Sequence, residues 1–345
     1  MNVDALRHRV KRMRRRGDNP MPTPEEPPQY VKGRSTLYDE EGNVRLQWVK
    51  EQADEDERKA ALQAALQGYK DELPREPPQP APQATNAKLL SCYIVTDAHI
   101  GMLAWGEETG EDWDTQIGED TLVRWFQAAV SQAPDSERAV FAQLGDLLHH
   151  DGLKSITPES GNILDADTRF QHIVRAAIRF VRRAVHLLLQ KHSHVVLIMA
   201  DANHDPASEV WLREWCAAIY EDEPRITVDT NPDSYYCVEH GATSVFSHHG
   251  HLRKVADVDS TFAAKFRKVF GRTKYSYAHM GHLHHHHEKE TNLMTVTQHR
   301  TLAARDAYAS RHGYMAGREA KVITYHADYG EVGSLSITPE MVQGG

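Results

Sequence analysis

At 345 residues, 40% of them hydrophobic, the chain is long enough for about two domains and a sizeable core. Its mean hydropathy of -0.61, the lack of an uncharged apolar run near the roughly 18 residues a membrane span needs, and a charged start with no apolar segment behind it argue against insertion and secretion, so a cytoplasmic location and no membrane partner are expected. Cys92, Cys216 and Cys237 are widely spaced and odd in number, which supports neither a disulfide framework nor a Cys-based zinc site.

The formal net charge of -9 hides an asymmetry. Residues 1–16 hold Arg7, Arg9, Lys11, Arg12, Arg14, Arg15 and Arg16 against Asp4 alone. Such a basic block attracts polyanions without sequence preference; read blandly, it is a solvated arm. Val3, Leu6, Val10 and Met13 fall at helical spacing, so the segment also reads as a partner helix. Pro20, Pro22, Pro24, Pro27 and Pro28 mark an extended linker, giving an arm and linker over 1–34. STLYD and VRLQWVK flank the turn-forming EEGN as a hairpin, and DEDERKAALQAALQGYK reads as a helix over 54–70, together a small module over 35–72. A second Pro-rich stretch over 73–87 reads as a linker and the domain boundary.

Over 88–340, the apolar strands LLSCYIV, AVFAQL and HVVLIM alternate with helical patterns near 119–132, 168–191 and 208–220, an α/β rhythm. After residue 225 strand follows strand, which implies two packed sheets with helices outside. In the helix over 168–191, Ile173, Ala177, Phe180 and Ala184 are expected to face a sheet. Trp211 and Trp215 are expected in core or interface packing.

The informative residues sit where predicted strands stop. LLSCYIV runs into Thr96-Asp97-Ala98-His99, AVFAQL into Gly145-Asp146, and HVVLIM into Ala202-Asn203-His204-Asp205. TSVFSH leads to His249-Gly250, and YAHM to Gly281-His282-Leu283-His284. Carboxylate, imidazole and amide oxygen are thus delivered to one sheet edge, where ligands bind in α/β folds. Histidine is the compositional outlier, with 22 residues and the clusters SHHGH and GHLHHHH, a pattern of metal chemistry. Hard divalent metals take this donor set, and two ions about 3.5–4 Å apart need a bridging carboxylate.

The ordered set Asp97-x-His99, Gly145-Asp146, Asn203-His204-Asp205, His249 and Gly281-His282-x-His284 resembles the calcineurin-like metallophosphoesterase superfamily over roughly residues 88–340. The resemblance implies a four-layer αββα sandwich, with the hairpin-helix module as an N-terminal extension, and a centre of two divalent ions. Carried over position by position, Asp97, His99, Asp146 and His284 hold the first ion, and Asp146 bridges to a second held by Asn203, His249 and His282. His248 is the alternative to His249, and the residue directly before Gly250 is favoured. His204 is then the general acid or transition-state stabiliser, oriented by Asp205. Mn2+ is favoured by mixed imidazole and carboxylate ligation, with Mg2+, Fe2+, Zn2+, Ni2+ and Co2+ as alternatives. His285, His286 and His287 match no motif position and read as rim residues.

Gly145-Asp146-Leu147-Leu148-His149 is similar to the version in SbcD-type DNA repair exonucleases, in which the trailing His touches substrate phosphate, so His149 joins the candidate catalytic residues. His150-Asp151-Gly152 lacks the Arg that protein phosphatases of the superfamily carry there, which tilts the expectation towards phosphodiesters. STLYD, GDLLHHDG and HRTLAARDAY are similar to segments of phage and prophage exonuclease-like members. The resemblance therefore implies a two-metal phosphodiester hydrolase, exonuclease-like on DNA, with an SbcC-like ATPase and a second copy of the chain as candidate partners. The alternatives are a phosphodiesterase or phosphatase for small or cyclic nucleotides, and a non-catalytic, metal-bound nucleic-acid-binding module.

One departure concerns the superfamily's Gly before Asn-His, which is Ala202 here; if that position needs a positive φ, the loop differs and activity suffers. Two basic groups are candidate substrate rims. Arg253 and Lys254 open a cationic run that ends at Lys274. Arg300 and Arg305 open a stretch that interleaves Arg with Tyr308 and Tyr314, a mix suited to backbone contact and base stacking. Read blandly, both are solvated faces.

Overall fold

The computed structural model describes residues 31–39, 42–51 and 75–343, in a chain that divides into two compact units, Met1–Glu72 and Leu73–Gly345. In the first unit, β1 (Val31–Tyr38) pairs antiparallel with β2 (Val44–Glu51). The turn closes because Asp39 Oδ1 accepts the Asn43 N–H at 2.8 Å and Gly42 takes a left-handed φ of 89°, conformations that Asp and Gly supply readily. The strand begins at Val31, inside the stretch assigned from sequence to the linker. The basic arm and the helix expected over 54–70 lie outside the described residues.

The second unit runs β3 (Asn86–Val95), α1 (Gly106–Thr109), α2 (Thr115–Gln132), β4 (Ser136–Gln143), α3 (Phe170–Lys191), β5 (His194–Met199), α4 (Pro206–Ile219) and β6 (Ile226–Val228). It continues through β7 (Tyr236–His240), β8 (Thr243–His248), α5 (Val258–Lys265), α6 (Arg267–Arg272), β9 (Tyr275–Met280), β10 (His287–Glu290) and β11 (Thr295–Gln298). It closes with α7 (Ala307–Arg311), β12 (Ala320–His326), β13 (Gly330–Ile337) and α8 (Pro339–Gln343). One sheet has the order β13-β12-β3-β4-β5-β6 and the other β10-β11-β9-β8-β7. Strands β3 to β6 are mutually parallel, as are β8 and β9.

Side chains alternate across a strand, and this chain uses both faces. Tyr93, Val95, Phe141, Leu197 and Met199 pack outward against Phe126, Phe180 and Leu188 of α2 and α3. Their neighbours Cys92, Ile94, Val140, Ala142 and Ile198 point the other way, onto Tyr236, Val238 and Val245 of the second sheet. Phe246, Ala278 and Met280 leave that sheet on its far side and meet Val258 and Phe262 of α5. Three cores in succession make four layers, helix, sheet, sheet, helix, as expected of an αββα sandwich. Both faces of the parallel strands are covered, which explains why LLSCYIV and HVVLIM read as continuous apolar runs.

Helix α3 buries Ile173, Ala177, Phe180 and Ala184 as its period predicts, and Trp211 and Trp215 pack partly buried at the edge of the same core. The Pro-rich stretch over 73–87 departs from expectation. From Arg75 onward it lies on its own unit: the Glu76 N–H donates to the Ile219 carbonyl at 2.9 Å, Arg182 pairs with Glu76 at 2.7 Å, and the Gln79 N–H meets Glu223 Oε2 at 2.8 Å. Proline holds the chain extended, so its neighbours' N–H groups stay free for the last turn of α4 and the loop after it. Among the described residues, no helix is long and apolar enough to cross a membrane.

Candidate metal centre

Parallel strands place their C-terminal ends on one edge, and the segments leaving β3, β4 and β5 meet there. Asp97 N–H donates to the Gly145 carbonyl and His99 N–H to that of Asp146, each at 3.0 Å. From the second sheet, Gly281 N–H reaches the His249 carbonyl at 2.7 Å. The backbone at the donors is unusual. Asp97, His99, Asp146, His282 and His284 all have positive φ, between 44° and 75°. Non-glycine residues tolerate this at a cost of about 1–3 kcal/mol each, which persists where surroundings over-determine it, most often at functional sites.

Two donor groups result. Asp97, His99 and His284 offer ligand atoms that all lie within 4.8 Å of one another, and so do Asp146, His249 and His282. His284 Nε2 stands 3.1 Å from Asp97 Oδ1 and 3.4 Å from His99 Nε2. In the second group, His249 Nε2 lies 3.2 Å from Asp146 Oδ2 and 3.1 Å from Asn203 Oδ1. His249 Nδ1–H donates to the Leu144 carbonyl at 2.8 Å, which fixes the tautomer and turns Nε2 to the centre, as in ligating histidines generally. His248 instead turns away, with Nδ1 on the Ser234 carbonyl and its ring stacked on Tyr235. Converging imidazole nitrogens beside buried carboxylates fit divalent metals; Asp97, His99 and His284 would hold one ion and Asp146, Asn203, His249 and His282 a second.

Electrostatics agree with the donor set. Burial works against ionising Asp97 and Asp146, yet His284 and His249 respectively hold both carboxyls below their ordinary value. Burial likewise opposes a charged His249, but the Asp146 carboxylate prevails and raises its pKa to about 9; His284 is raised by Asp97 against the same opposition. Both shifts favour keeping protons on these rings while no metal is bound. Those protons must leave when a metal enters, so metal affinity is expected to rise with pH up to about 9 and then level off. Calorimetric titration with Mn2+ in buffers of different ionisation enthalpy checks this through the protons released; release falling to zero at pH 6.5 contradicts it.

His204 completes a third group with His99 and His149. Its backbone N–H donates to Asp146 Oδ1 at 2.9 Å, and its Nδ1–H to the His149 carbonyl at 2.9 Å, so Nε2 is left free. The sequence-based role of Asp205 is corrected here. Asp205 does not orient His204; its Oδ2 accepts the Leu148 N–H at 2.7 Å. The helix N-terminus that Asp205 leaves uncapped is taken by Asp151, which accepts from Ala207 N, Ser208 N and Ser208 Oγ at 2.6 to 2.7 Å. Two carboxylates are thus exchanged between the loops after β4 and β5, locking Asp146 against Asn203 and His204. His149 is buried, and burial with His204 nearby lowers its pKa to about 3, so it can offer a hydrogen bond but no charge.

Ala202 is buried and is not among the left-handed residues. Left-handed Gly145 is the demanding position, since a Cβ there would stand 2.6 Å from both Ala202 Cβ and His249 Nδ1. The Ala202 methyl therefore fills space that Gly145 leaves. Ala202→Gly is expected to leave metal-dependent turnover within about twofold and to lower stability by about 0.5–1 kcal/mol through chain entropy, measured by thermal melting beside a turnover assay; a large gain in turnover contradicts it.

The substrate rims divide. Arg253 and Lys254 are exposed. Arg300 pairs with Glu319 at 3.5 Å, and Arg305 Nε donates to the Thr109 carbonyl at 3.3 Å, so both are engaged within the fold. Three residues that sequence reasoning passed over support the centre. Thr96 Oγ1 donates to Asp97 Oδ2 at 2.5 Å, Thr301 Oγ1 to the Asp97 carbonyl at 2.6 Å, and His251 packs its ring 5.4 Å from that of His249 with a buried, unpartnered Nδ1. His251 stood in the SHHGH cluster and Thr301 in HRTLAARDAY, signals that were available.

No protein-family model matches the chain, and no curated protein matches it. Solved structures do. A predicted phosphoesterase from Streptococcus pneumoniae aligns at 11% identity over 73% of this chain and 99% of its own, with a TM-score of 0.30. An archaeal phosphodiesterase aligns at 12% identity over 72% and 99%, TM-score 0.36. Zinc-complexed Vps29 from Entamoeba histolytica aligns at 10% identity over 73% and 99%, TM-score 0.29. At such values the sheet order and layers of this chain define its fold, rather than the alignments.

Proposed function

We propose that the protein is a two-metal phosphodiester hydrolase, a nuclease of SbcD-like character acting on DNA with Mn2+ as its ion. The observation that carries this reading is the pair of adjacent donor groups around Asp97 and Asp146 with His204 beside them. Bound ions would supply Lewis acidity, lowering the pKa of a bound water and neutralising phosphate oxygens. The chain's own groups do the rest. Asp146 holds His249 through one oxygen and the His204 backbone through the other, so ligand and acid move as one body. With Nδ1–H fixed on the His149 carbonyl, His204 presents Nε2 to protonate a departing alkoxide. Neutral His149 lies against His99, its Nδ1 3.4 Å from His99 Nδ1, and steadies the ring of that ligand.

A second reading, turnover of small nucleotides, is favoured by the engagement of Arg300 and Arg305 within the fold, which leaves less cationic rim for a long polyanion. Metal-stripped protein with Mn2+ restored, given bis-p-nitrophenyl phosphate and labelled single- and double-stranded DNA, separates the two. Turnover of ester and DNA is the expected result. Turnover of the ester alone favours the small-nucleotide reading, and silence on every substrate with metal bound overturns both.

A further inference from the structure

Helix α7 and the turn after it carry a group of exposed rings that neither fold nor metals require. Tyr308 of α7 and His312, the residue that follows the helix, have ring centroids 4.0 Å apart. Gly313 then turns the chain back with a φ of 73°, the Tyr314 N–H closes onto the Ala309 carbonyl at 2.9 Å, and the Tyr314 ring comes to lie 5.9 Å from His312 at only 16° between planes. The result is a cluster of three rings, each near the other two, with Tyr308 and Tyr314 6.4 Å apart. Tyr308 is 61% exposed and Tyr314 58%, so their faces meet water rather than a core.

The cluster is held firmly. Asp306 Oδ1 caps α7 through the Ala309 N–H at 2.7 Å, Arg311 pairs with Glu108 at 2.7 Å, and Ser310 Oγ donates to the Glu108 carbonyl at 2.8 Å. These bonds join the rim of α7 to that of α1. They also engage the cations there: Arg305 on Thr109, Arg311 on Glu108 and Arg318 on Glu111. What this rim offers a ligand is therefore π-surface more than charge. Its chain segment is tied to the centre through Thr301, whose hydroxyl is bonded to the Asp97 carbonyl, a few residues ahead of the cap Asp306.

We propose that the Tyr308–His312–Tyr314 cluster is a stacking subsite for an unpaired nucleobase of the polynucleotide whose phosphodiester lies at the metal centre. The inference rests on the phosphodiesterase reading and adds a substrate class to it: single-stranded nucleic acid. A nucleobase is the flat, weakly solvated group attached to a phosphodiester, and stacking on an aromatic ring is tolerant of base identity. Bases of an intact duplex already cover their faces with one another and offer none to exposed rings.

The test is binding of the full chain, in EDTA so that nothing is hydrolysed, to a fluorescently labelled ten-nucleotide oligothymidylate and to an abasic strand of equal charge. Fluorescence anisotropy is expected to show about tenfold tighter binding of the thymidylate. Tyr308→Ala/Tyr314→Ala should abolish that preference with affinity for the abasic strand unchanged, and Tyr308→Phe/Tyr314→Phe, which keeps the rings, should retain it. A melting midpoint close to the parent's shows that the fold is intact. Equal affinities in the parent, no binding of either strand, or a preference surviving the Ala pair overturns the proposal. Hydrolysis of bis-p-nitrophenyl phosphate, which has no base, judges the phosphodiesterase reading separately.

Discussion

Asp146→Ala is expected to lower Mn2+-dependent hydrolysis of bis-p-nitrophenyl phosphate by about a thousandfold or more and to cut bound metal from two ions per chain to one or none. Three consequences converge on that side chain. Its loss removes a donor from the group shared with His249 and His282. It leaves the buried His249 without the carboxylate 3.2 Å away that holds it, and the His204 N–H without its acceptor. Breaking such a buried pair costs about 3–5 kcal/mol, so Asp146→Asn, which keeps the shape and one oxygen, is the companion variant. Metal content by elemental analysis and thermal melting separate loss of the centre from loss of the fold. Turnover equal to the parent's in a folded Asp146→Asn would remove the centre from the chemistry.

Gly281→Ala is expected to have the next largest effect. A Cβ at this position would overlap Thr96 Oγ1 and stand 2.6 Å from Asp97 Oδ2. Neither atom can yield, since Thr96 is buried, its hydroxyl is bonded to Asp97, and the same Asp97 oxygen accepts the His282 N–H at 2.9 Å. Overpacking of this kind costs about 1–3 kcal/mol, a fall of about 2–10 °C in melting temperature for a domain of this size. The first donor group should also bind metal more weakly. Gly333→Ala, where no heavy atom lies within 4 Å, is the control and should stay within about 0.5 kcal/mol of the parent. If Gly281→Ala melts with the parent and keeps both metals, the close approach of the β9 loop to Asp97 is misplaced.

Much of the centre was legible because its donors follow strands whose apolar runs are visible locally. LLSCYIV, AVFAQL and HVVLIM are buried on two faces, and their ends are marked by Asp, His, Asn and Gly. The α3 stripe was legible for the same reason, since Ile173, Ala177, Phe180 and Ala184 repeat at the helical period. The misreadings share another cause. Asp205 precedes a helix and looks like a local acid, yet its partner is the Leu148 N–H, 57 positions away. Arg300 and Arg305 look like free cations because Glu319 and the Thr109 carbonyl give no sign of themselves nearby. The Pro-rich stretch after residue 73 has linker composition, but its N–H groups find acceptors at the end of α4.

Hydrophobic period, turn chemistry and the identity of the residues at strand ends are local properties, and by themselves they determined two packed sheets with Asp, His and Asn at the strand ends, while the assignment of candidate donors came from the family resemblance of those motifs. Only the tertiary structure decided which oxygen and which nitrogen each donor turns to the centre, because that depends on carbonyls such as Leu144 and His149 brought in from distant strands. It also decided that five donors sit in left-handed backbone. Asp and His enter that conformation more readily than most non-glycine residues, but it is selected here by bonds between distant loops, Asp97 N–H to the Gly145 carbonyl and His99 N–H to that of Asp146.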